Sequence, residues 1–246
     1  MTPDGPPRLL LVEDDPTSRA FFAAALQGLP AEVDAADGVA AAAALARRHR
    51  YALWLIDAHL PDGSGAELLA RLRAHDARTP ALAHTAAHER DVHDALRAAG
   101  FADVLVKPLS ADALQRAARA RLGGSAGVRE AASDYRDDAE APLWDDDAAL
   151  RALNGQRGHV DSLRGLFVKE LPKTLQAIAA AAARSDSEAV RGELHRLRAS
   201  CGFVGAARLE AAVRALQAAP ASPDALARLR ATAELTLARR PAGPAA

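Results

Sequence analysis

Five side chains in the first half of this 246-residue chain have the types and spacing for one kind of chemistry. Glu13 and Asp14 follow an apolar run at 8–12, and Asp57 follows one at 52–56. Thr85 follows the run at 81–84 and Lys107 the run at 103–106. Three carboxylates, a hydroxyl and an ammonium brought to one place suit a carboxylate nucleophile attacking a phosphoryl group beside a divalent metal. Asp57 would be the nucleophile and would carry an acyl phosphate. Glu13 and Asp14, with Asp57 itself, offer the hard oxygen ligands that Mg²⁺ (or Mn²⁺) takes. Lys107 supplies a point charge for the phosphoryl oxygens, and Thr85 a hydrogen bond to one of them. Lys107 is the more telling because the chain has only two other lysines, Lys169 and Lys173.

The elements that must position these groups can be read from the periodicity between them. Apolar runs at 8–12, 52–56, 81–85 and 103–106, with a weaker one at 32–35, read as strands. Amphipathic stretches at 16–28, 38–49, 65–75, 89–99 and 110–122 read as helices. Asp15 before Pro16 is a helix start, and Pro61-Asp62-Gly63-Ser64-Gly65 is a loop. Five alternating βα units imply a parallel sheet, whose ligands bind beyond the carboxyl ends of the strands. All five reactive groups lie at that edge.

Gly123-Gly124-Ser125-Ala126-Gly127 interrupts the alternation, and 123–142 reads as a flexible, acidic linker. Beyond it every segment reads as helix: 145–153, 160–183, 188–204, 206–219 and 224–239. Short connections between long amphipathic helices imply an up-and-down bundle. Pro172 is predicted to kink or break the second of them. Ser185 and Glu188 have capping-box spacing, and Ser222-Pro223 starts the last helix. The final residues, 241–246, read as a disordered tail.

Composition narrows the possibilities. Hydrophobic residues make up 50% and aromatics only 4%, so the core is built of Leu, Val and Ala. No apolar run approaches the roughly 20 residues of a membrane span, so membrane insertion is not expected. The first residues do not read as a signal or transit peptide. A single cysteine, Cys201, excludes an internal disulfide framework and fits a cytoplasmic location. Net charge is −1, with 16 basic and 21 acidic residues before position 143 and 15 and 11 after it. Nothing in that balance points to direct DNA binding.

The motifs Leu10-Leu11-Val12-Glu13-Asp14-Asp15, Leu55-Ile56-Asp57-x-x-Leu60-Pro61-Asp62-Gly63-x-Gly65, His84-Thr85-Ala86 and Val106-Lys107-Pro108 resemble the response-regulator receiver family over 8–122. The resemblance implies a flavodoxin-like doubly wound parallel sheet of order 2-1-3-4-5 in a domain ending at 122, and phosphorylation of Asp57. It also implies Mg²⁺ held by Asp14, Asp57 and the backbone carbonyl of His59, with Glu13 acting through water. One position departs from the family pattern. The usual aromatic of the fifth strand is Val104 here, and Phe101 is not at the matching place.

In the second half, Val190, Leu194, Leu197 and Cys201 form one narrow stripe on the helix at 188–204. His195 lies roughly 130° from the centre of that stripe at about 100° per residue and should face outwards. Arg191, Arg198, Ala199 and Gly202 share its side. The small residues leave room for a partner to reach the imidazole, and the arginines suit phosphate. The other seven histidines (His49, His59, His75, His84, His88, His93 and His159) read as ordinary exposed side chains. His195-x-Leu197-Arg198-Ala199-Ser200, followed by Gly205, resembles the signature of histidine-phosphotransfer (HPt) domains, usually His-x-Leu-Lys-Gly-Ser. Leu166-Phe167-x-x-Glu170-Leu171-Pro172 and Arg208-Leu209-Glu210 also fit that family, over 143–240.

Together the two resemblances imply an α/β plus all-α chain in two-component signalling. It would be a phosphorelay intermediate that accepts phosphoryl on Asp57 and carries it on His195. Its partners would be a sensor or hybrid histidine kinase and the receiver domains of other response regulators. A regulatory adaptor or phosphate sink, whose receiver gates the helical bundle, is the alternative. An aspartate-nucleophile phosphatase is excluded, because such enzymes place an Asp-x-Asp pair after the first strand.

Overall fold

The computed structural model describes residues 6–85, 89–107, 109–123, 141–220 and 222–239. The predicted linker lies almost wholly outside the described residues, as do the terminal tail, Ala86 and Pro108. The chain divides into two compact units, Met1–Arg129 and Glu130–Ala246.

The first unit is built on five parallel strands: β1 (Arg8–Val12), β2 (Glu32–Ala36), β3 (Leu53–Asp57), β6 (Ala81–Thr85) and β7 (Asp103–Val106). They lie in the order β2-β1-β3-β6-β7. A two-stranded hairpin, β4 (His59–Leu60) with β5 (Gly63–Ser64), intervenes in sequence, so this is the expected order 2-1-3-4-5 with two extra labels. Every residue of β3 and of β6 is buried. That is why they read as unbroken apolar runs: a central parallel strand is covered on both faces.

Five helices flank the sheet: α1 (Pro16–Leu26), α2 (Val39–Arg48), α3 (Gly65–Arg73), α4 (Arg90–Ala98) and α5 (Ala111–Arg121). Their starts are fixed by local chemistry. Asp15 accepts from the Ser18 amide at 2.7 Å with Pro16 in the first turn, and Ser64 and Glu67 form a reciprocal capping box. Asp62, in the hairpin, caps a different element. Its carboxylate accepts from the Val39 and Ala40 amides of α2 at 2.7 and 2.9 Å.

The second unit consists, among the described residues, of helices alone: α6 (Asp146–Ala152), α7 (Arg157–Ala183), α8 (Ser187–Val204), α9 (Ala207–Ala218) and α10 (Pro223–Ala238). Three expectations need correction here. Of the two outcomes predicted at Pro172, a kink or a break, the break does not occur: α7 runs 27 residues through it. The cap of α8 is Asp186, accepting from the Ala189 amide at 3.0 Å, and not Ser185, which adopts φ +55°. A carboxylate beside a helix N-terminus is the better cap. Finally, 141–142 at the end of the predicted linker are held by this unit. Arg208 bonds the Ala141 carbonyl through Nε at 2.8 Å and the Pro142 carbonyl through its amide at 3.1 Å.

Helix α8 ends at Gly205 with φ +72°. A side chain there would collide with the Asp145 carbonyl, whose own amide donates to the Gly205 carbonyl at 2.6 Å. A left-handed residue with no Cβ is therefore required at this joint.

Candidate functional site

Register brings the predicted strand-end residues of the first unit together. Val12 pairs with Ile56, Asp57 with His84, and Thr85 with Val106. Glu13 and Lys107 therefore emerge one residue beyond paired positions, on either side of Asp57. Lys107 Nζ lies 2.6 Å from Glu13 Oε2 and 2.7 Å from Asp57 Oδ2, bridging the two carboxylates. All three groups are buried. The other carboxylate oxygens are held by backbone amides, Asp57 Oδ1 by His59 at 2.9 Å and Glu13 Oε1 by Asp15 at 3.2 Å. Gly65 lets α3 start against this site, since a Cβ there would meet the Asp57 carbonyl.

Charge balance in so dry a place decides protonation. Burial raises the Asp57 carboxyl, but the Lys107 ammonium, His84 and the His59 amide together outweigh it and hold it at about 2. Asp57 is thus an ionised carboxylate at neutral pH. Burial dominates at Glu13 and pushes it well above the usual carboxylate range, against the pull of Lys107. For Lys107, burial acts to lower the pKa, and the two carboxylates overcome it and raise the ammonium above its ordinary value. One cation shared by two buried anions explains why the pair splits.

The remaining predicted residues fall around this core. Thr85 is wholly buried at the end of β6, one strand from Asp57, and its carbonyl accepts from the Lys107 amide at 2.7 Å. Asp14 is half-buried and lies outside the compact carboxylate group; its carbonyl and that of Glu13 accept from Arg19 Nη1 at 3.0 and 2.7 Å. His59 is exposed. Val104 and Phe101 both pack into the apolar core with Trp54 and Leu96.

One residue was missed. His84, expected to be an ordinary exposed histidine, is completely buried. Its Nδ1 stands 3.6 Å from both Glu13 Oε2 and Asp57 Oδ2, and its ring centroid is 4.6 Å from that of Phe22. Burial first, then the Lys107 charge, lowers its pKa to about 3, so the ring is neutral. The available signal was its place inside a strand buried on both faces, one residue before Thr85.

In the second unit, the stripe Val190, Leu194, Leu197 and Cys201 is buried as expected. Arg191 is exposed, and His195, Arg198 and Gly202 are half-buried. These positions recur at helical spacing along one side of α8. Arg198 Nε is 3.9 Å from Glu210 Oε1 on α9. Ala199 departs from expectation: it is buried, along with Ser200 and Phe203. Helix α8 packs against α6, α7 and α9, so burial spreads well beyond one stripe and takes in a residue expected on the open side.

Sheet order, strand-end chemistry and a separate helical unit define a two-part signalling protein. Family models for the response regulator receiver domain and the Hpt domain match residues 9–119 and 162–239. The chain belongs to the two-component phosphorelay family, with a receiver domain followed by an Hpt domain. It is similar to the sensor histidine kinase AruS of Pseudomonas aeruginosa, at 30% identity over 85% of this chain and 20% of that protein. It is also similar to the sensor protein GacS of Pseudomonas syringae, at 26% over 84% of this chain and 24% of that protein. The chain thus spans about a fifth to a quarter of the length of these relatives. Among solved structures, a receiver domain of a sensor histidine kinase from Pseudomonas aeruginosa PAO1 matches at 30% identity and TM-score 0.46. That match covers 49% of this chain and all of the other. No helix among the described residues is long and apolar enough to cross a membrane.

Proposed function

We propose that Asp57 is the phosphoacceptor of the receiver domain and His195 the phosphoryl carrier of the Hpt domain. The observation that carries this reading is the Lys107 bridge, which keeps Asp57 ionised at the carboxyl edge of the sheet. An Asp57 oxygen attacks phosphorus, the bond from phosphorus to the donor breaks, and the donor leaves with the electron pair. Lys107 then has a phosphoryl oxygen to neutralise, and the Thr85 hydroxyl one to donate to. Stabilising charge as it develops is most of what phosphoryl transfer asks of a protein.

The donor set fits Mg²⁺: Glu13, Asp14 and Asp57 are hard oxygen ligands on adjacent strand ends. Asp14, Asp57 and the His59 carbonyl would hold the ion, with Glu13 acting through water. When bound, it would screen the repulsion between these carboxylates and an incoming anion.

His195, with Arg191 and Arg198 on the same side of its helix, would exchange phosphoryl with the aspartate of a docked receiver or with a histidine kinase, the whole taking place in the cytoplasm. The helix needs only to present a nucleophilic nitrogen, because the receiver brings the charges. Intact-mass analysis after treatment with a small acyl phosphate tests the reading. One added phosphate is expected with Mg²⁺ or Mn²⁺, and none with excess chelator or in Asp57→Asn. Equal labelling of that variant would overturn the assignment.

A further inference from the structure

The loops that close the amino edge of the receiver sheet carry charge unlike the rest of that half. Helix α2 ends at Arg48 and α3 at Arg73, and the turns after them lead into β3 and β6. Positions 46–50 and 71–78 together hold Arg47, Arg48, Arg50, Arg71, Arg73 and Arg78, with His49 and His75, against a single carboxylate, Asp76. Residues 1–142 as a whole are net acidic. Part of this positive charge is answered locally. Cations in a last helical turn offset a dipole worth roughly half a charge, and Arg73 is tied to the Thr79 carbonyl. Asp76 is committed too: it accepts from the Arg78 and Thr79 amides at 3.0 and 3.2 Å and from the Thr79 hydroxyl at 2.8 Å. Asp34, which accepts from the Tyr51 hydroxyl at 2.8 Å, and Glu32 are both paired with Arg8. A cationic surplus remains.

That surplus surrounds a hollow of about 260 Å³, lined by Arg47, Arg48, His49, Arg50 and His75 together with Ala46. The three arginines and His75 are exposed. Among the described residues Arg47 and Arg48 have no ion pair, and Arg50 Nη1 reaches the His75 carbonyl at 3.4 Å and Asp76 at 4.0 Å. Guanidinium forks match phosphate oxygens two at a time. One phosphate ester brings roughly −1.5 to −2 charges, too few for three arginines, whereas two linked phosphates suit them. The hollow is also smaller than the roughly 300–1,000 Å³ of sites that enclose a drug-sized ligand. We propose that it binds a compact polyphosphate, either inorganic pyrophosphate or the phosphate chain of a nucleotide. Arg50 stands before β3 and Asp57 ends it, and five residues of strand span roughly 16 Å. The hollow is therefore separate from the phosphoacceptor edge, and binding there requires neither Asp57 nor a metal.

Pyrophosphate titrated calorimetrically into the purified full chain, with chelator and about 0.15 M salt to screen diffuse attraction, tests the site. One saturable site is expected, with orthophosphate bound about tenfold more weakly or worse. Arg48→Gln combined with Arg50→Gln should weaken pyrophosphate about tenfold or more, with helicity unchanged by circular dichroism. Arg47→Gln alone, weakened severalfold, repeats the test should the double variant not fold. Removing the same charge at exposed positions elsewhere, in Arg116→Gln with Arg228→Gln, should leave affinity as it is, and so should Asp57→Asn. ADP separates the two sources: tighter binding than pyrophosphate assigns a nucleotide, weaker binding the free ion. No saturable binding to the wild type, undiminished binding without Arg48 and Arg50, or equal weakening by the distant pair would overturn the site. Capture on vesicles of anionic phospholipid that pyrophosphate does not relieve would also overturn it, in favour of a membrane surface.

Discussion

The two candidate phosphoryl sites are built on opposite plans. Asp57 lies at the edge of a sheet, 5% exposed, and its charge is matched by Lys107 while Glu13 and His84 crowd the same space. His195 is half-buried on the side of a helix whose buried residues lie mostly elsewhere. At Asp57 the chemistry and the fold share side chains, so changing one disturbs the other. At His195 they are separable, because the stripe that holds α8 in place does not include the imidazole. An acceptor that works with its own charges must bury and pair them; one that borrows a partner's charges can remain on the surface.

The contrast breaks most visibly at Lys107. In Lys107→Met, Glu13 and Asp57 lose their shared cation in a site that excludes water. Leaving a buried charge unpaired costs about 3–5 kcal/mol, and the receiver half should lose stability on that scale. Urea unfolding, resolved to each half by amide hydrogen exchange, measures it, and the helical half should be unaffected. A loss under about 1 kcal/mol would show that the cluster behaves like an exposed ion network.

Leu197→Ala sharpens the other side. Leu197 is two residues from His195 and buried, at 3% exposure. Truncation should cost the helical half about 2–5 kcal/mol, read as a lower melting temperature by circular dichroism, with the receiver half unchanged. Stability in α8 then resides in Leu197, whereas in the receiver it resides partly in the reactive residues themselves.

A smaller effect concerns pH. His84 has an ordinary value of 6.5 and is held at about 3 when folded, facing Glu13, Asp57 and Lys107. As pH falls below about 6.5 the unfolded chain takes up a proton that the folded chain refuses, so stability declines until about pH 3. Asp57, held at about 2 against 3.8, contributes stability above 3.8 that is lost only as pH falls through about 2. Glu13, raised, works the other way: its contribution is present below 4.5 and fades as pH rises through its folded value. Comparison with His84→Leu isolates the histidine. The variant should gain on the wild type as pH drops from about 6.5 to 4, measured by urea midpoints. A constant difference would mean that His84 titrates alike in both states.

Much of this was legible beforehand, for a physical reason. Central parallel strands are apolar throughout, so the polar residues that end them, Asp57 and Lys107 among them, stand out against the run. The sheet order followed from the receiver resemblance, on motifs at four strand ends. His84 was not legible, because one polar residue inside a strand says nothing of its neighbours until pairing sets Asp57 beside it. Ala199 was misread because a helix packed by three others is buried round more of its circumference than a single stripe suggests. Ser185 lost the cap to Asp186 by one residue, a choice that depends on where the turn before α8 goes left-handed.

The smallest effect on stability should come from the change with the largest effect on signalling. His195→Gln keeps a polar side chain of similar length on the half-buried side of α8 and leaves Val190, Leu194, Leu197 and Cys201 untouched. Single substitutions centre on about 1 kcal/mol of destabilisation, below the range for truncating Leu197, and the melting curve should move correspondingly little. Phosphoryl transfer from a phosphorylated receiver partner to the helical half should nevertheless disappear, together with the acid-labile phosphate that His195 would carry. Both readouts come from one preparation, so they bear on each other. Loss of transfer with intact helicity would separate chemistry from fold at this site, as the comparison with Asp57 requires. A large fall in melting temperature would instead show that His195 is part of the packing of α8, and the two sites would then differ in degree and not in kind.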